Sequence, residues 1–350
     1  MIEPRTRLCR SFQTAPAAVA KADTAKYLRS GLTSEGFEAP DWLVPDFEDG
    51  TAPGMKAEAV ENAVELVADT SFSGEIWPRV EWSYARSALR DRGRDQIDTL
   101  VRELADEIDG VVVPKLGGLE DFERVDAILS ELESRYGVPE GSVDLAIILE
   151  TARARTSLRE IAGRGSDTRL SAIVFGPVDY TAELGGRDLG DGRPSWSGLL
   201  ESLSNETSAN GLIGIGGPFD ELYVTRAGVG AYNADGYASQ IEREAHLGLD
   251  GSWSLHPKQT IQANHVHMPT PSELEMALSR IERANAAIAE GTGAVAIDGR
   301  MIDEATLKNY RNTIRTVQSI DARHPEQSTT RYDDPLIDRA RTIDVDGSDG

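Results

Sequence analysis

Three short strings in this sequence end in carboxylates and have the residue types needed to bind a cation. They are DFEDG at 46–50, IILET at 147–151 and VFGPVD at 174–179. Each is an apolar run that reaches an acidic residue. In a barrel of parallel strands the carboxyl ends all open onto one face, so acids at those ends converge. The strings therefore indicate a divalent cation site at one face of such a barrel.

Glu150 and Asp179 are the two acids that the spacing places nearest each other, at the ends of the predicted fifth and sixth strands. Adjacent strands lie about 4.8 Å apart, so both carboxylates could share one ion. Carboxylates without a nearby His or Cys suit a hard cation, and Mg²⁺ is the leading choice, with Mn²⁺ as a substitute. The alternative, that these acids only cap helix N-termini, stays open from spacing alone.

Other polar residues end neighbouring strands. Glu48 and Asp49 end the second strand and could orient metal-bound waters or substrate, or could cap a loop. Arg79 ends the third strand, where a cation could neutralise an anionic substrate or a developing oxyanion. Lys115 ends the fourth strand and could contact a phosphate, although pairing with an inner acid is the favoured interpretation.

Two further residues have weaker signals. His256 begins the string HPKQ after the eighth strand, and a lone His there is expected to position other groups. Arg10 lies on the first strand, where it could meet a phosphate or a carboxylate. His265 and His267 alternate near a domain boundary, and no metal role is expected for them.

The elements that must position these residues alternate between strands and helices. This pattern predicts an α/β fold, a (β/α)₈ TIM barrel. An open doubly wound sheet is the rival, but no Gly-x-Gly-x-x-Gly follows the first strand. The predicted strands cover 8–14, 42–47, 75–80, 110–115, 143–150, 170–175, 212–217 and 252–256, and the predicted helices cover 17–29, 56–67, 94–107, 119–136 and 195–209.

A change of pattern near residue 268 divides the chain. The catalytic barrel is predicted over 1–267, and the string MPTPS at 268–272 marks the boundary with two prolines and a serine. Beyond it come a predicted helix at 273–290, a hairpin around Asp298-Gly299 and a helix at 304–319, a small lid domain over 268–320. The acidic tail at 321–350 is expected to be mostly disordered.

Composition narrows the classes of partner. The net charge of −23 argues against nucleic acid. An acidic surface with only six lysines among 36 basic residues suits high salt and indicates a halophilic source. Cys9 is the only cysteine, so no intrachain disulfide can form. With no signal-peptide pattern and no apolar run of membrane length, we expect a soluble, cytoplasmic protein without a membrane partner.

Taken together, the motifs resemble the citrate lyase β-subunit-like family of acyl-CoA lyases, within the HpcH/HpaI aldolase superfamily. The chain is most similar to the malyl-CoA and β-methylmalyl-CoA lyase branch in a haloarchaeal version. The resemblance covers about residues 8–318. The strings that carry it are RS at 10–11, DFED at 46–49 with Lys56, PRV at 78–80, PK at 114–115, LET at 149–151, FGPVD at 175–179, HPKQ at 256–259 and GRMID at 299–303.

The resemblance implies roles for particular residues. Glu150 and Asp179 would bind Mg²⁺, and Arg79 would hold the thioester oxygen. Asp303 would be the catalytic acid/base, on a lid that covers a neighbouring subunit's site in a homo-oligomer, commonly a trimer or hexamer. Arg10, Lys56 and Lys115 are the cations expected to contact CoA.

The implied reaction is reversible cleavage of β-methylmalyl-CoA to propionyl-CoA and glyoxylate, and of malyl-CoA to acetyl-CoA and glyoxylate, with a role in acetate assimilation. Alternatives are a malate synthase-like condensation with thioester hydrolysis, citramalyl- or citryl-CoA cleavage, a CoA-independent class II aldolase and a catalytically silent barrel. Three departures from the family pattern, at Glu81, Gly216-Gly217 and Ser252, favour a divergent specificity.

Overall fold

The computed structural model describes residues 7–165, 167–187, 195–226, 229–289, 295–297 and 299–345. The chain divides into two compact units, Met1–His267 and Met268–Gly350. No helix among the described residues is both long enough and apolar enough to cross a membrane.

The first unit is built around a closed parallel barrel. Its strands are β1 (Ser11–Pro16), β2 (Trp42–Asp46), β3 (Glu75–Ile76), β4 (Gly110–Val113), β5 (Asp144–Leu149), β6 (Leu170–Phe175), β7 (Ile213–Ile215), β8 (Tyr223–Arg226), β9 (Val229–Tyr232) and β10 (Ser252–Ser254). Parallel pairing runs in two sets, β10-β1-β2-β3 and β4-β5-β6-β7. Backbone bridges from Arg79 to Asp46 and Val112, and from Ile215 to Gly251, join the two sets into a ring. The predicted (β/α)₈ barrel is therefore confirmed.

The barrel strands are apolar on both faces because both faces are buried. Phe12, Trp42 and Val112 point into the barrel and pack with Trp77, whose ring stacks on that of Trp42 at 4.0 Å. Alternate residues on the same strands, such as Leu43, pack instead against the surrounding helices. All eight predicted barrel strands are present. Strand β6 has its predicted bounds, β1 covers Ser11–Pro16 instead of 8–14, and the others are shorter than predicted.

Ten helices of the described barrel unit surround these strands. They are α1 (Lys26–Leu32), α2 (Lys56–Ala68), α3 (Ser87–Leu104), α4 (Leu119–Tyr136), α5 (Ala152–Thr156), α6 (Leu158–Ala162), α7 (Pro177–Glu183), α8 (Ser197–Ala209), α9 (Ala234–His246) and α10 (Pro257–Val266). Short 3₁₀ turns occupy Gly36–Glu38 and Pro53–Met55. The antiparallel hairpin β8–β9 was not predicted from the sequence.

The predicted helix at 17–29 is wrong over residues 17–25, because helical structure begins only at Lys26. The preceding backbone makes bonds outside a helix instead. The N–H of Ala17 donates to the carbonyl of Asp46, and the side chain of Asn62 donates to the carbonyl of Ala17. Burial of Ala17 and Ala18 against the barrel overrides their helical propensity.

The second unit contains α11 (Pro271–Ala289), the antiparallel strands β11 (Val295–Ile297) and β12 (Arg300–Ile302), and α12 (Glu304–Arg323). These match the predicted helix–hairpin–helix, although Asp298 of the predicted turn lies outside the described residues.

The expectation of a mostly disordered tail is wrong for the described residues up to 345. Two more helices follow α12, namely α13 (Pro325–Tyr332) and α14 (Asp334–Thr342). Tyr332, Ile337 and Ala340 are buried, and Arg339 forms ion pairs with Glu275 and Glu282 of α11. The apolar residues are few but fall on one helical face, which the overall polar composition concealed. Residues 346–350 lie outside the described residues.

Candidate active site

A polar cavity of about 680 Å³ opens at the carboxyl ends of the barrel strands. Strands β2, β4, β5 and β6, with the segment after β3, each deliver a charged residue to this region. The charged residues of the cavity lining include Glu48, Asp49, Lys56, Lys115, Glu150 and Asp179. This convergence is what a barrel imposes on residues that follow parallel strands.

Glu150 lies at the base of this group and is only 4% exposed. Its Oε1 accepts a hydrogen bond from the backbone N–H of Lys115 at 2.8 Å. A Cβ on Gly176 would lie 2.5 Å from Oε2 of Glu150, so the glycine makes room for the carboxylate. Burial, and then the charge of Asp179, raise the pKa of Glu150 to about 8. The positive charges of Lys115 and Arg79 lower this pKa but do not fully compensate the burial of the carboxylate.

The alternative that Glu150 is a helix cap does not match the local structure. Thr151 is the N-cap of α5, and its side chain accepts from the N–H of Ala154 at 3.0 Å. Asp179 lies in the first turn of α7, where its side chain is 43% exposed. The two acids therefore differ in environment, one buried and one open to the cavity.

Arg79 is buried beside Asp46. Its Nε donates to Oδ1 of Asp46 at 2.8 Å and its Nη2 donates to Oδ2 at 2.6 Å. Its Nη1 lies 3.4 Å from Oε2 of Glu48, and the guanidinium carbon is 5.5 Å from the centre of the Trp253 ring. Burial alone would lower the pKa of Arg79, but the carboxylates of Asp46, Glu48 and Glu150 raise it above its usual value. Arg79 is a permanent cation with a defined orientation.

Lys115 neutralises the outer acids. Its Nζ donates to Glu48 and, at 2.6 Å, to Oδ2 of Asp49, and lies 3.8 Å from Oδ2 of Asp179. Burial would lower the pKa of Lys115, but the charge of Glu48 and the bond to Asp49 raise it. Burial raises the pKa of Glu48. Burial would also raise the pKa of Asp49, but the bond from Lys115, the charge of Lys115 and the contact with Glu48 together lower it. The favoured interpretation of Lys115, pairing with acids of the site, agrees with these contacts.

The donor set fits Mg²⁺. Among the described residues no group of three or more His, Cys, Asp or Glu side chains is arranged to hold a metal. Glu150 and Asp179 are instead a pair of oxygen donors whose mutual charge is unfavourable without a cation. Mg²⁺ is commonly bound by one or two carboxylates, with water and substrate oxygens completing its octahedron.

Two other predicted site residues are Lys56, which lines the cavity, and His256, which follows strand β10. Lys56 Nζ donates to the carbonyl of Glu48 at 2.6 Å and lies 3.8 Å from Glu81. His256 is the N-cap of α10, directly after β10, and its Nδ1 accepts from the N–H of Lys258 at 3.1 Å. Burial lowers the pKa of His256, so the ring is neutral at pH 7.

The structure does not bring Arg10 to this group. Arg10 precedes β1, at the amino end of the barrel, and is 1% exposed. Its Nε and Nη2 each donate to Asp41 at 2.8 Å. A cation so buried and paired is not available to a phosphate at the carboxyl ends of the strands.

Asp303 belongs to the second unit, as the N-cap of α12. Its carboxylate accepts from both the N–H and the hydroxyl of Thr306 at 2.9 Å, and it is exposed. These bonds lower the pKa of Asp303. It is therefore ionised at neutral pH.

The sequence reasoning missed three residues that shape the site. Asp46 was quoted only as part of a string, yet it binds Arg79 through two bonds. The hydroxyl of Tyr84 donates to Glu183 at 2.7 Å, and both line the cavity. Asp46 could have been found as a further acid at a strand end, whereas nothing in the local pattern distinguishes Tyr84 or Glu183.

Residues 31–257 match the family model described as HpcH/HpaI aldolase/citrate lyase. The chain is 57% identical over 342 residues to the L-malyl-CoA/β-methylmalyl-CoA lyase of Haloarcula marismortui, covering 97% of this chain and 99% of that protein. The magnesium/glyoxylate complex of Haloferax volcanii malate synthase matches with a TM-score of 0.69 and 26% identity, covering 97% of this chain and 99% of the other. A citrate lyase from Burkholderia xenovorans has the same fold, with a TM-score of 0.73, 18% identity and coverage of 94% and 97%.

Proposed function

Because the chain belongs to the HpcH/HpaI aldolase/citrate lyase family, we propose that it cleaves β-methylmalyl-CoA to propionyl-CoA and glyoxylate, and malyl-CoA to acetyl-CoA and glyoxylate. It is a carbon–carbon lyase. The single observation that carries the choice of substrates is the 57% identity, over nearly both full lengths, to a lyase with this name. We also propose a role in acetate assimilation, because the reaction links acetyl-CoA to glyoxylate.

We infer that Glu150 and Asp179 hold Mg²⁺. When bound, the ion supplies a Lewis acid that polarises oxygen atoms of the glyoxylate unit. Buried Glu150 fixes the position of the carboxylate pair, because the N–H of Lys115 and the contact with Gly176 hold it. Glu48 and Asp49, held by Lys115, are placed to orient water molecules around that pair.

Cleavage breaks the carbon–carbon bond between the acyl α-carbon and the hydroxyl-bearing carbon. The bonding electrons pass to the acyl group as a thioester enolate, while the hydroxyl gives its proton to water and becomes the aldehyde carbonyl of glyoxylate. The acid that later protonates the enolate carbon takes up a proton from water in turn, so the reaction neither gains nor loses a proton. Arg79 is the group proposed to hydrogen-bond the enolate oxygen, since Nη1 is on the edge of the guanidinium not paired with Asp46. The enolate carbon then takes up a proton.

We propose that Asp303 carries this proton. In the condensation direction a carboxylate must remove a proton from the α-carbon, and the ionised state of Asp303 matches that task. The second unit would act as a lid over the cavity of a neighbouring subunit in a homo-oligomer, a trimer or a hexamer. Such a lid would also exclude water from the enolate.

A malate synthase-like reaction is the second candidate, favoured by the structural match to the Haloferax volcanii enzyme. It would add hydrolysis of the thioester after condensation and would release free CoA. The lower identity to that enzyme makes it the secondary proposal.

The deciding experiment is a glyoxylate-release assay in high-salt buffer with Mg²⁺, with free CoA followed in parallel. The substrates are β-methylmalyl-CoA and malyl-CoA, citramalyl-CoA followed through release of pyruvate, and acetyl-CoA with glyoxylate for the condensation direction. Glu150→Gln is the control for activity of this site. Glyoxylate together with propionyl-CoA or acetyl-CoA supports the lyase and ranks its substrates. Free CoA and malate formed from acetyl-CoA and glyoxylate would favour the synthase reaction, and no turnover of any substrate would overturn the proposal.

A further inference from the structure

We propose that Asp46 is a positioning residue that orients Arg79 for its hydrogen bond to the substrate. The inference rests on the proposed function for the identity of the reaction. It assigns a role to a residue for which the sequence analysis found none.

The first support is the geometry of the ion pair. Nε and Nη2 of Arg79 form two parallel bonds to the two oxygens of Asp46, at 2.8 and 2.6 Å. A guanidinium held through two donors on one edge cannot rotate in its plane or tilt freely. The opposite edge carries Nη1, which lies 3.4 Å from Oε2 of Glu48, a residue that lines the cavity.

The second support is that Asp46 is itself held rigidly. Its Oδ1 accepts from the N–H of Glu48 and its Oδ2 accepts from the N–H of Gly50, each at 2.8 Å. A Cβ on Gly50 would collide with Oδ2, so the turn is shaped to approach this carboxylate. Asp46 thus accepts four hydrogen bonds while only 1% exposed.

The third support is the backbone around the pair. The N–H of Phe47 donates to the carbonyl of Arg79 at 3.0 Å, and the N–H of Arg79 donates to the carbonyl of Pro45 at 2.8 Å. The main chains of the two segments are therefore registered without the side chains. The side-chain pair therefore sets the direction of the guanidinium. The site needs this direction, whereas the fold does not depend on it.

A second ion pair in the same barrel provides a matched control. Arg10 and Asp41 are also joined through Nε and Nη2, at 2.8 Å each, and both side chains are 1% exposed. This pair lies at the amino end of the barrel, away from the cavity. Asp41→Asn therefore reproduces the loss of an equally buried carboxylate without affecting the orientation of Arg79.

The test is a kinetic cycle on the full-length protein with Asp46→Asn, Arg79→Lys and the double variant, alongside Asp41→Asn. We expect Asp46→Asn to lower kcat roughly 10²-fold, because a displacement of about 1 Å costs that much, with KM changed less than about threefold. In the Arg79→Lys background the same change should alter kcat by less than about threefold, because lysine has no fork to orient. Multiplicative losses in the double variant, or an equal kcat loss in Asp41→Asn, would overturn the proposal.

A second variant and a crystal structure test the role of Asp46 independently of the kinetic cycle. If Asp46→Asn does not fold, Asp46→Glu keeps the charge but displaces the fork, and an unchanged kcat in that variant contradicts the proposal. A crystal structure of whichever of these variants folds tests the orientation without any assay, since we expect Arg79 Nη1 to leave its position near Glu48, and an unmoved guanidinium would refute it. An inactive wild-type protein would disprove the proposed reaction alone, and the crystal structure would still decide whether Asp46 orients Arg79.

Discussion

The backbone N–H of Lys115 donates to Oε1 of Glu150 at 2.8 Å, while the ammonium of the same residue binds Glu48 and Asp49. Lys115 has a φ of 51°, in the left-handed region that non-glycine residues seldom occupy. This conformation turns the N–H toward the buried acid and the side chain toward the outer acids. Lys115, which follows β4, therefore contacts carboxylates that follow two other strands, β2 and β5.

Gly176→Ala should weaken Mg²⁺ binding. The new methyl carbon would lie 2.5 Å from Oε2 and 2.7 Å from Cβ of Glu150, so the carboxylate must shift. We expect the Mg²⁺ concentration for half-maximal activity to rise about 10-fold or more, as when groups that support a metal ligand are changed. Gly198→Ala is the matched control, since a Cβ there meets nothing within 4 Å. Equal Mg²⁺ titrations of the two variants would contradict the packing argument.

In Lys115→Met, Mg²⁺ should stabilise the folded protein against heat more than it does in the wild type. Without the ammonium, Glu48, Asp49 and Asp179 repel one another, and a bound cation relieves more repulsion than in the wild type. We expect Mg²⁺ to raise Tm by roughly 2–4 °C more than in the wild type, equivalent to about 1 kcal/mol. Thermal unfolding with and without Mg²⁺ measures this, with exposed Lys308→Met as control. If Mg²⁺ raised the Tm of Lys115→Met and Lys308→Met equally, Lys115 would not offset repulsion among these carboxylates.

Asp303→Asn should abolish most turnover while leaving Mg²⁺ binding and folding intact. The amide oxygen of Asn can still accept from Thr306 and cap α12, but Asn cannot exchange a proton with the acyl carbon. We expect kcat to fall 10²- to 10⁴-fold, the range for general acid–base catalysis. Asp333→Asn, which alters the N-cap of α14, is the matched control. Unchanged turnover in Asp303→Asn would exclude Asp303 as the acid/base.

A buried cluster outside the cavity predicts the pH dependence of stability. Ser252 Oγ donates to Glu244 at 2.5 Å and lies 2.9 Å from Nε2 of His267. Burial raises the pKa of Glu244 to about 7 and lowers that of His267 to about 4. Between pH 4.5 and 7 the folded state retains a proton on Glu244 that the unfolded state releases, so this residue makes stability fall as pH rises. Between pH 4 and 6.5 the unfolded state protonates His267 while the folded state does not, so this residue makes stability rise with pH.

Glu244→Gln and His267→Gln should therefore change the pH dependence in opposite directions. From pH 5 to 6, the free energy of unfolding of Glu244→Gln should rise more steeply with pH than that of the wild type. Over the same range, the free energy of unfolding of His267→Gln should fall as pH rises. Each change corresponds to at most about 1.4 kcal/mol per pH unit, the value for one proton. Denaturant unfolding at constant high salt measures both. Parallel pH curves for the two variants would show that neither group titrates as its burial predicts.

Much of the fold was predictable because its signals are local. The barrel strands are apolar runs, and the acids at their ends could be read directly, including Glu150 and Asp179. The family motifs lie on the same strand ends, so they indicated the lyase class as well. The helix–hairpin–helix of the second unit followed from prolines, helical periodicity and an Asp-Gly turn signal.

The tertiary structure decided which charges meet. The sequence placed both Arg10 and Arg79 on barrel strands, yet Arg10 is buried at the amino end with Asp41, whereas Arg79 is buried beside Asp46 and close to Glu48 of the cavity. Residue types and spacing determined that the chain forms a (β/α)₈ barrel with acids at its carboxyl-terminal face. Pairing of Asp46 with Arg79 and the bridging role of Lys115 depended on barrel closure, because these contacts join residues 33 to 67 positions apart along the chain. Local patterns specify secondary structure, whereas side-chain partners from different strands are set only when the strands assemble.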